Sequence, residues 1–243
     1  MYNLLIGLAA GLAVTLAVRF GTNFGWVGSV LPGLLALVIA YFLLARRSWK
    51  KLEALFAAVQ KELMAQRIDK AIQVLQGGFA LAPWQFLVAS QLHSQIGVLR
   101  YIRQDFDGAL PELKESFSRH AVARAMLALC LYRKRDAEGM RQVFESALKD
   151  NKKEGLLFAT YAWVEEKEGR HDAAIAVLAR GLKVNPSDEK LKAAMQALQN
   201  SKKLKLGKLY GEQWFQFHLE RVPPEFAAPP GARSGRRVVF QRR

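Results

Sequence analysis

The sequence predicts an all-α protein: a transmembrane helical hairpin, a short superhelix of about four helix-turn-helix repeats with a capping helix, and a basic tail rich in aromatic residues. Three observations carry this. Two long apolar runs stand at the N-terminal end, Met1 to Val18 and Trp26 to Ala45. Residues of matching character recur at related places, with Ala71, Ala109, Met140 and Ala174 as the reference positions. A polar-backed stretch, Ser187 to Asn200, follows with Leu191, Ala194, Met195 and Leu198 at helical spacing. The domains expected are 1–45 for the hairpin, 46–200 for the repeats with their capping helix, and 201–243 for the tail.

The first 45 residues contain no Asp, Glu or Lys, and their only charge is Arg19. Each apolar run is near the roughly 20 residues that cross a bilayer, and the short connection Arg19 to Gly25 forces a hairpin. A cleaved signal peptide is the competing reading of the first run. The start Met-Tyr-Asn lacks a basic region, and no small-x-small cleavage site precedes the second run, so two spans is the better reading. Arg46, Arg47, Lys50 and Lys51 follow the second span, against Arg19 alone in the connection. The excess of basic residues puts both chain ends in the cytoplasm. Gly7 and Gly11 lie one turn apart and let a helix approach closely; packing within the hairpin is preferred over dimerisation. Pro32 either bends the second span or marks its start.

The repeat is clearest from Gly155 to Pro186. Ala162 on a first helix, and Ala174 and Gly181 on a second, sit where two helices must approach closely, while Phe158, Tyr161 and Leu178 fill the space between. Gly169 ends the first helix and Pro186 follows the second. The unit is about 34 residues long. On these residues it resembles the tetratricopeptide repeat (TPR) family, with Phe158, Tyr161, Ala162, Gly169, Ala174, Leu178, Gly181 and Pro186 at signature positions. Glu165 departs from the pattern by standing where an aromatic is usual.

A single repeat leaves apolar faces open, so neighbours should carry the same pattern. One copy earlier the corresponding residues are Leu127, Ala128, Leu131, Met140, Phe144 and Ala147. Before that come Ile96, Gly97, Phe106, Ala109, Leu113 and Ser116, and first of all Leu55, Val59, Ile68, Ala71 and Leu75, stopped at Pro83. The repeats span approximately 52–85, 90–120, 121–154 and 155–188. Two spans followed by helical repeats are similar in architecture to the HemY-like inner-membrane TPR proteins of bacteria. That likeness implies a compartment and a scaffolding role, and names no pathway.

The chain of 243 residues carries a formal charge of +15. From Ser201 onward ten Lys and Arg face three Glu, so nearly half of the excess lies in the tail. A basic tail suits anionic lipid, nucleic acid or an acidic protein surface. Cys130 is the only cysteine and stands beside Leu129 and Leu131, as a packed residue would. His93, His120, His171 and His218 have no second ligand at helical spacing. With no phosphate-binding glycine loop, zinc-ligand spacing or nucleophile elbow, the sequence offers no catalytic residue, metal site or cofactor.

What remains is a surface. The resemblance implies a concave groove lined by first helices, and its contact positions carry over to Phe56 and Gln60, Gln91 and Tyr101, Leu129, Tyr132 and Arg133, and Trp163 and Glu166. Aromatics and an Arg there suit a protein or peptide partner. In the tail, Tyr210, Trp214, Phe215, Phe217 and Leu219 are too apolar for a free linker and form a docking element, helical or extended. It docks on the groove in cis, on lipid or on a partner, with the groove preferred. The alternative function is nucleic-acid or ribosome binding through the tail, with the repeats as spacer.

Overall fold

The computed structural model describes residues 1–22 and 25–223, so the basic end of the tail from Arg233 to Arg243 lies outside the described residues. The described residues are helical throughout, with no strand among them. The chain forms two compact units, Met1–Ala123 and Arg124–Arg243. Their division falls inside the expected 46–200 domain.

In the first unit, α1 (Tyr2–Gly21) and α2 (Trp26–Met64) are the two helices long and apolar enough to cross a membrane. They pack antiparallel along a stripe without bulk. A Cβ on Gly11 would come within 2.9 Å of the Gly33 carbonyl oxygen, and one on Gly7 within 3.4 Å of the Leu37 carbonyl oxygen and the Tyr41 Cβ. Asn3 closes the stripe by donating from Nδ2 to the Ser48 hydroxyl at 2.9 Å. The close-approach glycines therefore serve the hairpin itself. Outside the stripe the apolar side chains are uncovered: Leu5, Leu12, Leu35 and Phe42 are each about 60 % exposed.

Pro32 lies inside α2, which begins after Gly25 and does not stop at the basic cluster. Its 39 residues continue through Arg46–Lys51 to Met64, so the expected boundary at residue 45 falls within one helix. Arg, Lys, Leu and Ala are good helix formers, and nothing between Ala45 and Leu52 breaks the ladder. The far end of α2 packs with α3 (Ile68–Gly77), a 3-10 turn (Gly78–Leu81) and α4 (Val88–Ile102). Leu52, Val59, Ala71, Leu75, Leu92 and Ile96 are central to their core. Helix α5 (Phe106–Lys114) lies against α4, where Gly97 meets Leu113; a Cβ there would be 2.7 Å from its Cδ2.

Helix α6 (Ala121–Arg133) precedes α7 (Ala137–Asp150), α8 (Gly155–Lys167) and α9 (His171–Val184). In the second unit Phe144 stacks on Tyr161 at 4.7 Å between centroids, and Gly181 admits the ring of Phe158. Arg180 grips Glu145 with both terminal guanidinium nitrogens, at 2.8 and 2.7 Å. Helix α10 (Glu189–Gln199) covers α9, and the Asp188 carboxylate caps it by accepting from the Lys190 and Leu191 N–H groups.

The same local geometry recurs along the chain. Gln66, Gln104, Arg135 and Gly169 each have a positive φ and sit in the three-residue turn between paired helices. Five residues later come Ala71, Ala109, Met140 and Ala174, all fully buried; nine residues later come Leu75, Leu113, Phe144 and Leu178, also fully buried. A left-handed residue closing a helix satisfies its last carbonyls, and here it sets the phase of the following helix. Only the last copy places a glycine there, where the conformation carries no Cβ penalty.

Candidate functional site

The expected groove residues fall into three groups. Gln60 and Arg133 are exposed, while Phe56, Gln91, Tyr132 and Glu166 are half-buried, with Phe56 resting on the first core. Tyr101 and Leu129 are fully buried, which corrects their assignment to an accessible surface. Tyr101 packs edge-on against Phe106 at 5.0 Å, across its own helix pair. Leu129 lies in the run Ala125 to Cys130, buried on every side of α6, so helical phase alone could not mark its outward face.

Trp163 forms the third group. It is only 6 % exposed, and what covers it is the tail. After α10 the chain makes two short helices, α11 (Leu206–Tyr210) and α12 (Glu212–Phe215), turning between them at Gly211 with φ 57° and ψ −130°. That backbone conformation belongs almost entirely to glycine. Trp214 is fully buried, edge-on to Trp163 at 5.5 Å, and Phe217 packs edge-on to Trp214 at 6.0 Å. Lys167 Nζ lies 5.2 Å from the centre of the Trp163 ring. Arg133 donates from Nη2 to the His218 carbonyl at 2.8 Å, so a proposed ligand contact holds the tail.

The remaining tail residues pack locally. Phe215 fits over Gly207, where a Cβ would come within 2.7 Å of its ring, and Leu219 is half-buried. Lys190 Nζ lies 5.0 Å from the Tyr210 ring centre. Burial, helped by the Asp188 charge, pushes the Tyr210 phenol above its ordinary range. Of the helical and extended conformations left open by the sequence, the tail takes the helical one, in two short pieces.

An open concavity of about 480 Å³ is lined by Tyr132, Arg133, Arg135, Ala137 and Glu168, and its Arg133 is the residue bonded to the tail. Desolvation and the Glu168 carboxylate raise the Tyr132 phenol, with Arg133 opposing them. This cavity offers two guanidinium groups, one phenol and one carboxylate, a set suited to a polar peptide segment carrying an acidic group. Glu166 faces His171, 2.7 Å from Nδ1.

Sequence reasoning marked Glu165 as a departure from the repeat pattern but missed its burial and its partner. It is 2 % exposed and accepts from Arg170 Nε at 2.5 Å, so the departure from an aromatic is balanced by a cation five residues on. Also missed was the apolar loop around Pro83. The N–H groups of Tyr2 and Asn3 donate to the carbonyls of Pro83 and Trp84 at 2.9 and 3.4 Å, and Tyr2 packs edge-on to Trp84 at 5.5 Å. Trp84 and Phe86 remain 41 % and 63 % exposed. No group of three or more His, Cys, Asp or Glu among the described residues could hold a metal. No protein-family model matches this sequence, and no curated protein matches it at a significant level.

Proposed function

We propose that the protein is a membrane-anchored scaffold of tetratricopeptide type, which recruits a protein or peptide partner to the cytoplasmic face of a bacterial inner membrane and performs no catalysis itself. The observation that carries the reading is α2, whose first part is apolar and uncovered and whose far end belongs to a helix-pair core. Trp26 and Trp49 are about 59 % and 58 % exposed and lie 23 residues apart. At about 1.5 Å per residue they are roughly 35 Å apart, near the spacing of the two interfaces of a bilayer. Trp84 and Phe86 fit the same interfacial level as Trp49. The bonds from the start of α1 to Pro83 and Trp84 favour a retained first helix over a cleaved one.

The recurrence of left-handed turn, small residue and buried leucine or phenylalanine supports a repeat array of the TPR kind. The partner's surface in this reading is the concavity at Tyr132, Arg133, Arg135 and Glu168, extended over Trp163 when the tail withdraws. Burial of Trp214, Phe215 and Phe217 removes the stacking platform that nucleic-acid binding by the tail would use. Reporter fusions at Gly25 and Asn200 should report opposite compartments. Affinity capture with the full chain in detergent, with and without nuclease, should retain the same proteins in both arms; loss on nuclease treatment would return the nucleic-acid reading.

A further inference from the structure

A cavity of about 230 Å³ lies where the start of α1 and the middle of α2 meet the loop before α4. It is lined by Asn3, Leu44, Arg47, Ser48, Lys51, Leu81 and Trp84. Arg47 and Lys51 stand one turn apart on the same face of α2, and neither forms an ion pair among the described residues. Like charges at that spacing repel, and an anion between them relieves the cost. The Ser48 oxygen accepts from Asn3, which leaves its own proton with no acceptor among the described residues. Asn3 is 98 % buried, with only 2 % exposed, and its Oδ1 has no donor. Two cations and a hydroxyl donor therefore stand beside a buried acceptor that lacks a proton. A volume equal to about eight waters admits a phosphodiester and a small alcohol, while the acyl chains would have to lie outside.

We propose that this cavity binds the headgroup of an anionic phospholipid carrying hydroxyl groups, of the phosphatidylglycerol class. Arg47, Lys51 and Ser48 hold the phosphate, and Asn3 Oδ1 accepts from a headgroup hydroxyl. The inference rests on the membrane reading above. In that reading the cavity lies at headgroup depth, level with Trp49 along α2, with Trp84 in its lining and Tyr2 packed on Trp84. Its residues are distinct from those of the basic tail, for which anionic lipid is one of three expected partners.

The test uses the full chain in nanodiscs containing equal parts of phosphatidylglycerol, phosphatidylethanolamine and phosphatidylcholine, with native mass spectrometry counting the lipid retained on release. One phosphatidylglycerol should be retained per chain. Arg47→Gln with Lys51→Gln should reduce that retention at least about tenfold, from roughly 1 kcal/mol for each basic group. Ser48→Ala should reduce it about threefold with the helical content by circular dichroism unchanged. Arg46→Gln with Lys50→Gln removes the same charge from the neighbouring face, beside Trp49 and Glu53, and should leave it unchanged. Equal retention of the three lipids, or equal loss from both double variants, would overturn the proposal in favour of general surface attraction. In lipid-free detergent, glycerol phosphate that occupies the site as fully as the lipid would show a soluble anion to be the ligand and overturn the lipid assignment. Failure of the chain to enter nanodiscs of any composition would instead overturn the membrane reading, and the lipid site with it.

Discussion

The hairpin of α1 and α2 and the pair of α8 and α9 both bring antiparallel helices together through residues without bulk, yet they treat the rest of their surface oppositely. In α1 only Asn3, Gly7 and Gly11 are buried, and the leucines point away from the partner helix. In α8 every residue from Leu157 to Glu165 is buried, because neighbours cover it all round. The small-residue contact is common to both, and only the second pair is held by removing apolar surface from water. With its outward leucine face, α1 is long and apolar enough to cross a membrane.

The contrast breaks most sharply at the tail. Trp214→Ala should destabilise the second unit by about 3 to 5 kcal/mol, and Trp163→Ala by a similar amount. In chemical unfolding of the full chain in detergent, the double variant should lose less than the sum, since each ring is the other's cover. Leu12→Ala, at an uncovered position of α1, should change the same measurement by less than about 0.5 kcal/mol. A small loss from Trp163→Ala would place that ring on an accessible surface and return the tail to solvent.

Next in size are the close contacts. Ala174→Leu should cost roughly 1 to 3 kcal/mol by overpacking α8 against α9. Gly11→Leu should separate α1 from α2 near Gly33 and Leu37. Its readout is a longer distance between spin labels placed at the exposed Leu12 and Leu35, with the unfolding midpoint of the second unit unchanged. The turns come third. Gly169→Ala should cost about 1 kcal/mol from the left-handed conformation, whereas Gln104→Gly should gain a few tenths, as the relief there is offset by a more flexible unfolded chain.

The smallest effect is a pH dependence. Burial lowers the pKa of His120 below its ordinary value, only partly opposed by a backbone hydrogen bond. Its Nδ1 accepts from the Ala123 N–H at 3.2 Å, which a protonated ring cannot do. A histidine with a depressed folded pKa contributes stability above its unfolded value of about 6.5 and loses it as pH falls through that value toward the folded one. Unfolding midpoints measured from pH 7.5 to 5 should drop less in His120→Gln than in the parent chain.

Much of the helix layout was legible in the sequence, because glycine, proline and small residues punctuate helices by local chemistry. The pairs starting near Ala121 and Gly155 and the helix opened by Asp188 required nothing beyond that. Exposure was less legible. Tyr101 and Leu129 occupy positions whose phase suits a groove, and they are buried because Phe106 covers one and α6 is covered on every side around the other. The continuity of α2 was hidden because the basic cluster was read as the end of a span, whereas Arg and Lys are good helix formers that leave the backbone ladder unbroken. The loop at Trp84 was hidden because its partner is the chain's own N-terminus, more than 80 residues away in sequence.

The unbroken course of α2 also has a mechanical meaning. Thirty-nine residues make a rod about 58 Å long, with no flexible joint at the basic cluster. In the membrane reading proposed above, any tilt that the apolar half adopts to match bilayer thickness is imposed directly on the half that carries Leu52 and Val59. A thinner membrane would thus lean the first helix pair, turning a property of the lipid into an angle at the protein's surface.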